Sequence, residues 1–513
     1  MLFFETTIAL VAIAVFLALF ARRIGAPYPA FLALAGVGLA FIPGAPKIEL
    51  DADLALALFL APVLVDSAFD MSLRDLRRDW PTIVSLVIGA VVATTVVVAF
   101  IARWFVPQMP WSVAIALGAL VAPPDAVAAS AVMRFVNPPR RLVTILEGES
   151  LFNDASALVI FRGALIAATS TLPAAKILPP LVAAVPLSFL AGYLLAQIVP
   201  RLLRRVNDMP SAILLQFVVS FGIWLAAERV HLSGVLTLVT FAATTARNDK
   251  TPARLRLPSF AIWETAIFFL NILAFTIIGL QIGPVMENLD AQQRLLFFKI
   301  GAATLVAVIV VRFVWVFLNG AGVSFLAKLR GYSPINPAVR PGWRGAVVVS
   351  WSGMRGIVTL AGALALPLEF PYRDLIVFCA FFVVLGTLVL QGFTLGPLLR
   401  ALELPQDRQL ENETGFARTE ALRAAMACLD GDEGEAAARL REEYSAMLAI
   451  ADEGPETYAP AVSEDGRLRL KSLAASRARL SELRRNGEIG DIAFHRVEEE
   501  LDRTELGVTS VES

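Results

Sequence analysis

The sequence predicts an all-α polytopic membrane protein, with about 13 transmembrane helices in two inverted six-helix repeats and a small cytoplasmic helical tail. Of its 513 residues, 57% are hydrophobic and only 17% are charged, a composition too apolar for ordinary water-soluble domains. Apolar runs near the bilayer-crossing length of about 20 residues follow one another along the chain. Charged residues become dense only beyond Pro405. We therefore expect a transmembrane domain at 1–404 and a tail at 405–513.

The apolar runs indicate about thirteen transmembrane spans. They lie at roughly 2–21, 27–43, 53–69, 80–104, 111–133, 142–168, 178–199, 210–229, 232–246, 260–282, 295–326, 345–367 and 373–400. The first run has no basic segment before it and no small-residue cleavage site after it, so we expect it to be a retained span.

Basic residues in the connections orient these spans. Connections after odd-numbered spans carry Arg22, Arg23, Arg74, Arg77, Arg78, Arg140, Arg141, Arg201, Arg204, Arg205, Arg247, Lys250, Arg254, Arg256, Lys328, Arg330, Arg340 and Arg344. The other connections carry only scattered basic residues such as Lys47, Lys176, Arg229 and Arg373. Because cytoplasmic loops of membrane proteins are rich in Lys and Arg, we expect the N-terminus outside the cell membrane and the C-terminus in the cytoplasm.

An odd number of spans also allows an internal repeat. If one helix separates two groups of six, the groups run in opposite directions, which is the inverted-repeat plan of many secondary transporters. Span 5 then corresponds to span 12, and span 3 corresponds to span 10.

Span 5 contains a predicted helix break beside a carboxylate. Pro123 and Pro124 precede Asp125, and each proline deprives a carbonyl one turn earlier, that of Ala119 or Leu120, of its helical donor. Such a break inside a membrane requires burial in protein or a water-filled cavity. Freed carbonyls beside a carboxylate are hard oxygen ligands suited to an alkali cation. A simple proline kink with a hydrogen-bonded Asp125 is the structural alternative.

Span 6 carries an acidic stretch, 147–154, within apolar sequence. Helical spacing places Ser150 and Asp154 on one face, whereas Glu149 and Asn153 lie on an adjacent stripe. Ionisable groups at this depth usually face a transport pathway or a partner. Burial favours a protonated carboxyl group and a bound cation favours the ionised form, so Asp154 is suited to exchanging the two.

Other intramembrane polar residues lie on spans 3, 10, 11 and 12. Asp66 lies near the cytoplasmic end of span 3, as an entrance ligand or as the partner of a basic loop. Glu264 and Asn271 lie on span 10, where a structural role for Glu264 is equally compatible with the sequence. Arg312 on span 11 and Arg355 on span 12 require carboxylates or carbonyls as partners. The last residues of this kind are Arg162, to which the pattern assigns no role, and the isolated His231 and His495.

Glycines around Arg355, in Ser352-Gly353-Met354-Arg355-Gly356, permit an unwound segment that matches the break in span 5. Two broken helices that cross would bring opposed helix ends and Arg355 close to the acids. The fold prediction therefore includes two unwound, crossing helices, spans 5 and 12.

Beyond the membrane domain, apolar residues recur at helical spacing in 413–429, 433–453, 466–486 and 489–505, with Pro455 and Pro460 between them. We interpret this tail as a folding or dimer-supporting appendage, with a regulatory role as the alternative. Two cysteines provide no disulfide framework or zinc site, and the formal charge of -1 shows no bias towards nucleic acid.

Four segments together resemble motifs of bacterial sodium/proton antiporters of the monovalent cation:proton antiporter family, on the branch that includes the eukaryotic sodium/proton exchangers. The segments are 122–132, 147–154, 353–356 and 387–399, and the similarity extends over about 5–400. The resemblance implies a thirteen-helix homodimer, with a core of spans 4–6 and 11–13 and a dimerisation domain of spans 1–3 and 8–10.

The resemblance also implies roles for individual residues. Asp125, Asn153 and Asp154 match the functional trio, Ser150 a cation-ligand hydroxyl and Asp66 an acidic position beside the ligand. Glu149 and Arg312 match a core ion pair, and Arg355 matches the arginine of the second broken helix. Pro124 stands where the family usually has threonine, leaving only a backbone carbonyl as ligand, and Asp66 stands where glutamate is usual.

These inferences predict a secondary transporter that exchanges Na+ for H+ by alternating access, with Li+ and K+ as the alternative cations. The Na+ site is formed by Asp154, Asp125 and Ser150, with a carbonyl near Pro124. An Asn153-Asp154 pair, instead of two aspartates, resembles the electroneutral branch and implies one proton per cation. No cofactor is expected, and the partners are the ions, the bilayer and a second copy of the chain.

Two other classes of protein are compatible with parts of the sequence. A cation- or proton-coupled symporter, or a channel-like carrier of another solute, would need a larger cavity with varied hydrogen-bonding groups. An intramembrane enzyme would need a catalytic constellation, and the sequence contains no HExxH, GxSxG or Cys/His arrangement. The few acidic groups favour a small cation over both.

Overall fold

The computed structural model of the chain describes two compact units, Met1–Gln406 and Asp407–Ser513. The described residues are 2–23, 26–42, 52–133, 138–170, 173–203, 206, 208–247, 253–287, 290–329, 342–404, 409–432, 434–452, 464–486, 494, 497–498, 500–505. Several features predicted above lie outside them: Lys47, Arg204, Arg205, Lys250, Arg330, Arg340, Pro455, Pro460, His495 and, within 489–505, residues 489–493, 495–496 and 499.

The described secondary structure of the first unit is helical. Its helices are α1 (Leu2–Arg23), α2 (Tyr28–Ala40), α3 (Ala52–Asp70), α4 (Leu73–Val84), α5 (Val91–Phe105), α6 (Trp111–Val121), α7 (Ala126–Met133), α8 (Arg140–Thr169), α9 (Ala174–Leu203), α10 (Met209–Arg229), α11 (Gly234–Arg247), α12 (Ala253–Leu280), α13 (Ile282–Glu287), α14 (Ala291–Leu329), α15 (Trp343–Trp351), α16 (Ile357–Leu364) and α17 (Arg373–Leu402). Each predicted apolar run overlaps at least one of these helices, and two runs, 111–133 and 345–367, are each divided into two.

Within the described part of the chain, seven helical stretches are long and apolar enough to cross a bilayer. They are Arg74–Phe105, Arg140–Thr169, Lys176–Leu203, Met209–Arg229, Pro258–Leu280, Gln292–Asn319 and Arg373–Leu402. Shorter apolar helices lie at Tyr28–Ala40, Leu54–Phe69 and Trp111–Val121. The chain is therefore a multi-pass, all-α membrane protein, as the apolar runs predict.

Small residues allow the helices to approach closely, which is how helices commonly pack in membranes. A side-chain carbon added at Gly279 of α12 would overlap the Ala33 carbonyl of α2, and one added at Gly36 would overlap the Thr276 carbonyl of α12. Alanine or any larger residue at either glycine would force the two helix backbones apart.

A π-helical turn, Ser85–Ala90, joins α4 to α5 in one continuous element. Trp315 of α14 packs its indole against Gly89, and its Nε1–H donates to the carbonyl of Ser85 at 3.0 Å. A π-turn inserts one extra residue and leaves a carbonyl available, so the indole occupies the gap that the turn opens. The sequence pattern predicted a plain helix over 80–104 and did not anticipate this turn.

The second unit contains α18 (Gln409–Cys428), α19 (Glu435–Asp452) and α20 (Glu464–Arg485). Arg441 of α19 donates to the carbonyls of Leu429 and Asp432 at 2.6 and 2.5 Å, which ties the connection after α18 to α19. Arg477 of α20 pairs with Asp502 and Glu505. These carboxylates raise the pKa of the Arg477 guanidinium above its usual value.

Candidate functional site: two interrupted helices and a buried carboxylate

Two short non-helical segments face each other inside the first unit. The first, 122–125, separates α6 from α7, and the second, 352–356, separates α15 from α16. They are joined directly, because the backbone N–H of Asp125 donates to the carbonyl of Met354 at 2.6 Å. The two interruptions therefore form one site, whose backbone groups are no longer used by helical hydrogen bonds.

The carboxylate of Asp125 lies at two helix N-termini. Its Oδ1 accepts the backbone N–H of Val127 at 2.9 Å and so caps α7. Its Oδ2 lies against Gly356, the residue before α16, where an added side-chain carbon would overlap that oxygen. Oδ2 is buried and accepts no hydrogen bond from the described residues. The positive ends of two helices thus stabilise one carboxylate whose second oxygen remains available.

Arg355 balances the opposite ends of the interrupted helices. Its buried guanidinium donates from Nε to the carbonyl of Val121 at 2.9 Å and from Nη2 to that of Ala122 at 3.1 Å. Nη1 donates to the carbonyl of Gly353. Carbonyls at the C-terminal end of a helix carry partial negative charge, so the cation compensates the end of α6. The carbonyls that accept from Arg355 belong to the two residues after Ala119 and Leu120, whose own carbonyls are predicted to lose their helical donors because of the two prolines.

Asp154 lies on α8 and is 5% exposed. It is close enough to Asp125 for the two carboxylate charges to repel. One turn earlier, the Ser150 hydroxyl lies 3.5 Å from the carbonyl of Pro124. Hydroxyl, carbonyl and carboxylate oxygens from α8 and the first interruption therefore converge, which is the ligand set a hard cation prefers.

Glu149, on the neighbouring stripe of α8, is fully buried and pairs with Arg312 of α14. The two guanidinium nitrogens donate to its two carboxylate oxygens at 2.5 and 2.8 Å, and Arg312 Nε donates to the carbonyl of Val349 at 3.1 Å. This bidentate pair joins α8, α14 and α15. Its charge is internally balanced, whereas that of Asp154 is not.

Asn153 links the ion pair to the site. Its Nδ2 donates to Glu149 at 3.2 Å, while its buried Oδ1 accepts no hydrogen bond from the described residues. Helical spacing groups Asn153 with Glu149, and the family resemblance groups it with Asp125 and Asp154. Its position is compatible with both predictions. The amide nitrogen belongs to the Glu149 network, and the amide oxygen has no partner among the described residues.

The remaining predicted acidic and amide residues lie on other elements. Asp66 is half-buried on α3, a helix that packs against α16 and α8. Glu264 is exposed on α12, and Asn271 is buried two turns further along the same helix, with an Oδ1 that accepts no hydrogen bond from the described residues. The structure does not record Glu264 or Asn271 in contact with Asp154 or Asp125.

Sequence reasoning missed two polar features near these helices. Arg162 of α8 pairs with Glu228 of α10, whose other carboxylate oxygen accepts the N–H of Gly234 at 2.9 Å. On α17, Thr387 accepts the N–H of Arg355 at 3.0 Å. The available signal was a polar residue inside an apolar run, which marks Thr387 and Gln391 in the span 373–400 as it marks Asp154.

The ligands at the site are of the kind that suits a small cation or a proton. They are carboxylate, hydroxyl, amide and carbonyl oxygens, and no group of three or more His, Cys, Asp or Glu side chains in the described residues could hold a resident metal ion. On one side, apolar residues of α6, α8 and α16, among them Leu120, Phe161 and Val358, line a small cavity. Pro123 of the first interruption also lines this cavity, so an apolar barrier borders the interruption on that side.

Known proteins are similar to this chain in sequence or in fold. A transporter from Bacillus pumilus, described as a sodium, potassium, lithium and rubidium/H+ antiporter, is 31% identical over 94% of this chain and 74% of its own length. The low-affinity Na+/H+ antiporter NhaS1 of Synechocystis is 30% identical over 79% of this chain and 75% of its own. The solved structure of the sodium proton antiporter MjNhaP1 from Methanocaldococcus jannaschii matches with a TM-score of 0.60 at 19% identity. It covers 78% of this chain and 99% of its own, and shows that the fold is shared.

The family model described as "Sodium/hydrogen exchanger, transmembrane" matches residues 8–401, which include both interruptions, Asp154 and the Glu149–Arg312 pair. With that match and with relatives above 30% identity over most of its length, the chain belongs to the family of transmembrane sodium/hydrogen exchangers.

Proposed function

We propose that this protein exchanges Na+ for H+ across the cell membrane, with Asp154 binding the cation and the proton in turn. The observation that carries the proposal is a buried Asp154 carboxylate beside Asp125, at the meeting point of two interrupted helices. The antiporters from Bacillus pumilus and Synechocystis support a monovalent cation as substrate. Li+ and K+ are the other candidate cations.

Competition for one carboxylate enforces exchange. An ionised, empty Asp154 places an isolated charge against the apolar barrier, which is strongly disfavoured in a medium of low dielectric. A bound Na+ or a bound proton neutralises that charge. Only the occupied site then moves across the barrier, so each passage carries either a cation or a proton.

The surrounding groups hold the cation without competing for the proton. Ser150, the Pro124 carbonyl and the free oxygen of Asp125 supply ligands, and Asp66 acts on the approach from α3. Glu149, Arg312 and Arg355 keep the core folded and compensate helix-end charge. The residue before Asp154 is Asn153, whose amide does not titrate, so the site has one titratable carboxylate fewer than a site with two consecutive aspartates. We therefore propose electroneutral exchange of one cation for one proton.

We further propose the family's architecture for this chain. It comprises thirteen spans in two inverted repeats, two unwound and crossing helices corresponding to spans 5 and 12, and domain limits at 1–404 and 405–513. Spans 4–6 and 11–13 form the moving core, and spans 1–3 and 8–10 form the contact with a second copy of the chain. The N-terminus lies outside and the C-terminus in the cytoplasm. The pair of interruptions supports this arrangement, because such paired breaks mark the substrate site of inverted-repeat transporters.

The test is proton flux in proteoliposomes driven by gradients of Na+, Li+ or K+, with the membrane potential clamped or free. We expect Na+-driven flux from the parent protein that is insensitive to the clamp, and its loss in Asp154→Asn, since an amide cannot carry a proton. Asp374→Asn is the matched control, because this carboxylate is exposed at the start of α17.

Persistence of Na+-driven flux near the parental rate in Asp154→Asn would show that another group carries the ions. A flux that follows the clamped potential would overturn the one-to-one stoichiometry while leaving cation exchange intact.

A further inference from the structure

A polar stripe on α17 runs along the second interruption. Thr387, Gln391 and Thr394 are spaced i, i+4 and i+7, and so share one helix face. Thr387 accepts the backbone N–H of Arg355 at 3.0 Å, and Thr394 accepts Nε1–H of Trp351 at 2.8 Å. These two contacts hold the two ends of the interruption. Gln391, between them on the stripe, therefore faces residues 352–354.

A neighbouring contact supports this register. A side-chain carbon added at Gly392 would lie 3.7 Å from the sulfur of Met354. The same carbon would lie 3.4 Å from Pro27 and 3.6 Å from Ala30, so at this level α17 borders both the start of α2 and the side chain of Met354 in the non-helical segment.

Gln391 is 0% exposed, and neither its amide nitrogen nor its amide oxygen bonds to another described residue. Ser352 is 2% exposed, and its hydroxyl likewise forms no hydrogen bond with another described residue. A buried amide without partners is destabilising relative to a paired one, because it has given up its hydrogen bonds to water without replacing them. A half-buried glutamine, Gln216 of α10, is instead paired with Trp263 and Ser259 at 2.8 and 3.5 Å. Gln391 therefore differs from Gln216 in that its amide has no partner among the described residues.

The segment facing Gln391 depends on donors that come from the site itself. The Gly353 carbonyl accepts from Arg355, and the Met354 carbonyl accepts the N–H of Asp125. A movement of one interruption that separates Asp125 from Met354 leaves the Met354 carbonyl without this donor in a buried part of the protein. An amide with two N–H donors and one acceptor, held on the adjacent rigid helix, can replace the lost donors.

We propose that Gln391 is a positioning residue for exchange. When the two interruptions shift, its amide forms hydrogen bonds with the carbonyls of 353–354 and with the Ser352 hydroxyl. These bonds stabilise the segment 352–354 during the change from one conformation of the transport cycle to the other. This inference rests on the alternating-access function proposed above. It differs from the roles of Asp154 and Asp125, because Gln391 acts on the backbone of the interruption and does not ligate the cation.

The test replaces Gln391 with methionine, which keeps the length and unbranched shape but forms no comparable hydrogen bond. We expect the maximal rate of Na+-driven proton flux to fall about tenfold, the effect of one hydrogen bond lost on the path between conformations. The apparent Na+ affinity should stay within about twofold, since no cation ligand is changed. The unfolding temperature should not fall, because the partnerless amide adds no hydrogen bond to the described conformation.

Two further variants sharpen the test. Gln391→Asn keeps the amide one methylene further back and should recover part of the rate. Gln216→Met removes a paired glutamine from α10, and should lower the unfolding temperature while leaving the maximal rate of the folded protein unchanged.

A lower unfolding temperature for Gln391→Met with a parental rate would overturn the positioning role in favour of a structural one. A change in Na+ affinity at an unchanged maximal rate would overturn it in favour of a ligand role. Absence of exchange in the parent protein would overturn the proposed function and this role together. Exchange by Gln391→Met at the same maximal rate as the parent protein would overturn this role alone.

Discussion

At the scale of single residues, the acidic stretch 147–154 contains carboxylates in two electrostatic situations. Glu149 is fully buried but compensated by a bidentate arginine, whereas Asp154 is buried near another acid. Helical spacing separated the two faces before any partner was known. The difference in partners then decides the chemistry, because a compensated carboxylate has little reason to exchange a proton during transport.

Removing the Glu149 charge should destabilise the protein more than it weakens cation binding. In Glu149→Gln, the buried Arg312 loses its counter-charge, and breaking such a pair from one side costs about 3–5 kcal/mol. We expect a clear fall in unfolding temperature in detergent and lower yield, with the apparent Na+ affinity of the remaining folded protein nearly unchanged. Thermal unfolding and cation-dependent flux measure the two effects separately.

The control is Glu420→Gln in α18. It breaks an exposed i, i+3 pair with Arg423 in which both side chains are about half exposed, and should change stability by less than about 1 kcal/mol. Normal stability of Glu149→Gln together with a large loss of Na+ affinity would assign Glu149 to the ion site.

At the scale of helices, the Arg162–Glu228 contact joins three elements. Arg162 lies on α8 and Glu228 near the end of α10, and the carboxylate also accepts the N–H of Gly234 at the first residue of α11. A carboxylate at a helix N-terminus is favourable for the same electrostatic reason as at α7. This arrangement explains an intramembrane arginine to which the sequence pattern assigned no role.

We expect Glu228→Gln to be more destabilising than Arg162→Gln. The glutamate serves both the guanidinium and the start of α11, whereas the arginine serves only the glutamate. A difference of about 1 kcal/mol corresponds to one helix-terminal charge interaction. Unfolding temperatures of the two variants, and amide exchange at the start of α11, provide the measurement. Equal losses, or the reverse order, would show that the glutamate does not support α11.

For the two interrupted helices, the sequence predicts where each helix breaks but not what the broken segment contacts. Pro123 and Pro124 predict where α6 must end, and Gly353 and Gly356 predict where a second helix can unwind. Neither pattern indicates that the N–H of Asp125 bonds the Met354 carbonyl across the site. That hydrogen bond depends on the packing of helices more than 200 residues apart in sequence, and only the folded chain defines it.

At the scale of the whole molecule, the site and its supporting ion pairs belong to the first unit, Met1–Gln406. We therefore expect a chain ending at Leu404 to retain cation-driven proton flux with the parental order of cation preference. Flux in proteoliposomes at matched protein content is the measurement. Loss of exchange in a truncated protein that remains folded, judged by its unfolding temperature, would assign an essential role to the second unit.

The sequence by itself determined the class of this protein and the composition of its site. Continuous apolar runs require helices, because backbone groups in a bilayer must bond within their own segment. Polar residues inside those runs are costly enough to identify Asp125, Asp154 and Arg312 as functional or paired. Helical spacing assigned Glu149 and Asp154 to different faces, which needs no knowledge of neighbouring helices.

Only the tertiary structure decided which partner each buried charge has. It paired Glu149 with Arg312 and Arg162 with Glu228, and placed Arg355 on the carbonyls of α6. It also introduced the π-turn beside Trp315 and left the amide of Gln391 facing the second interruption without a partner among the described residues. These features follow from contacts between distant helices, for which local spacing carries no signal, whereas burial and helix periodicity are local properties that the sequence specifies directly.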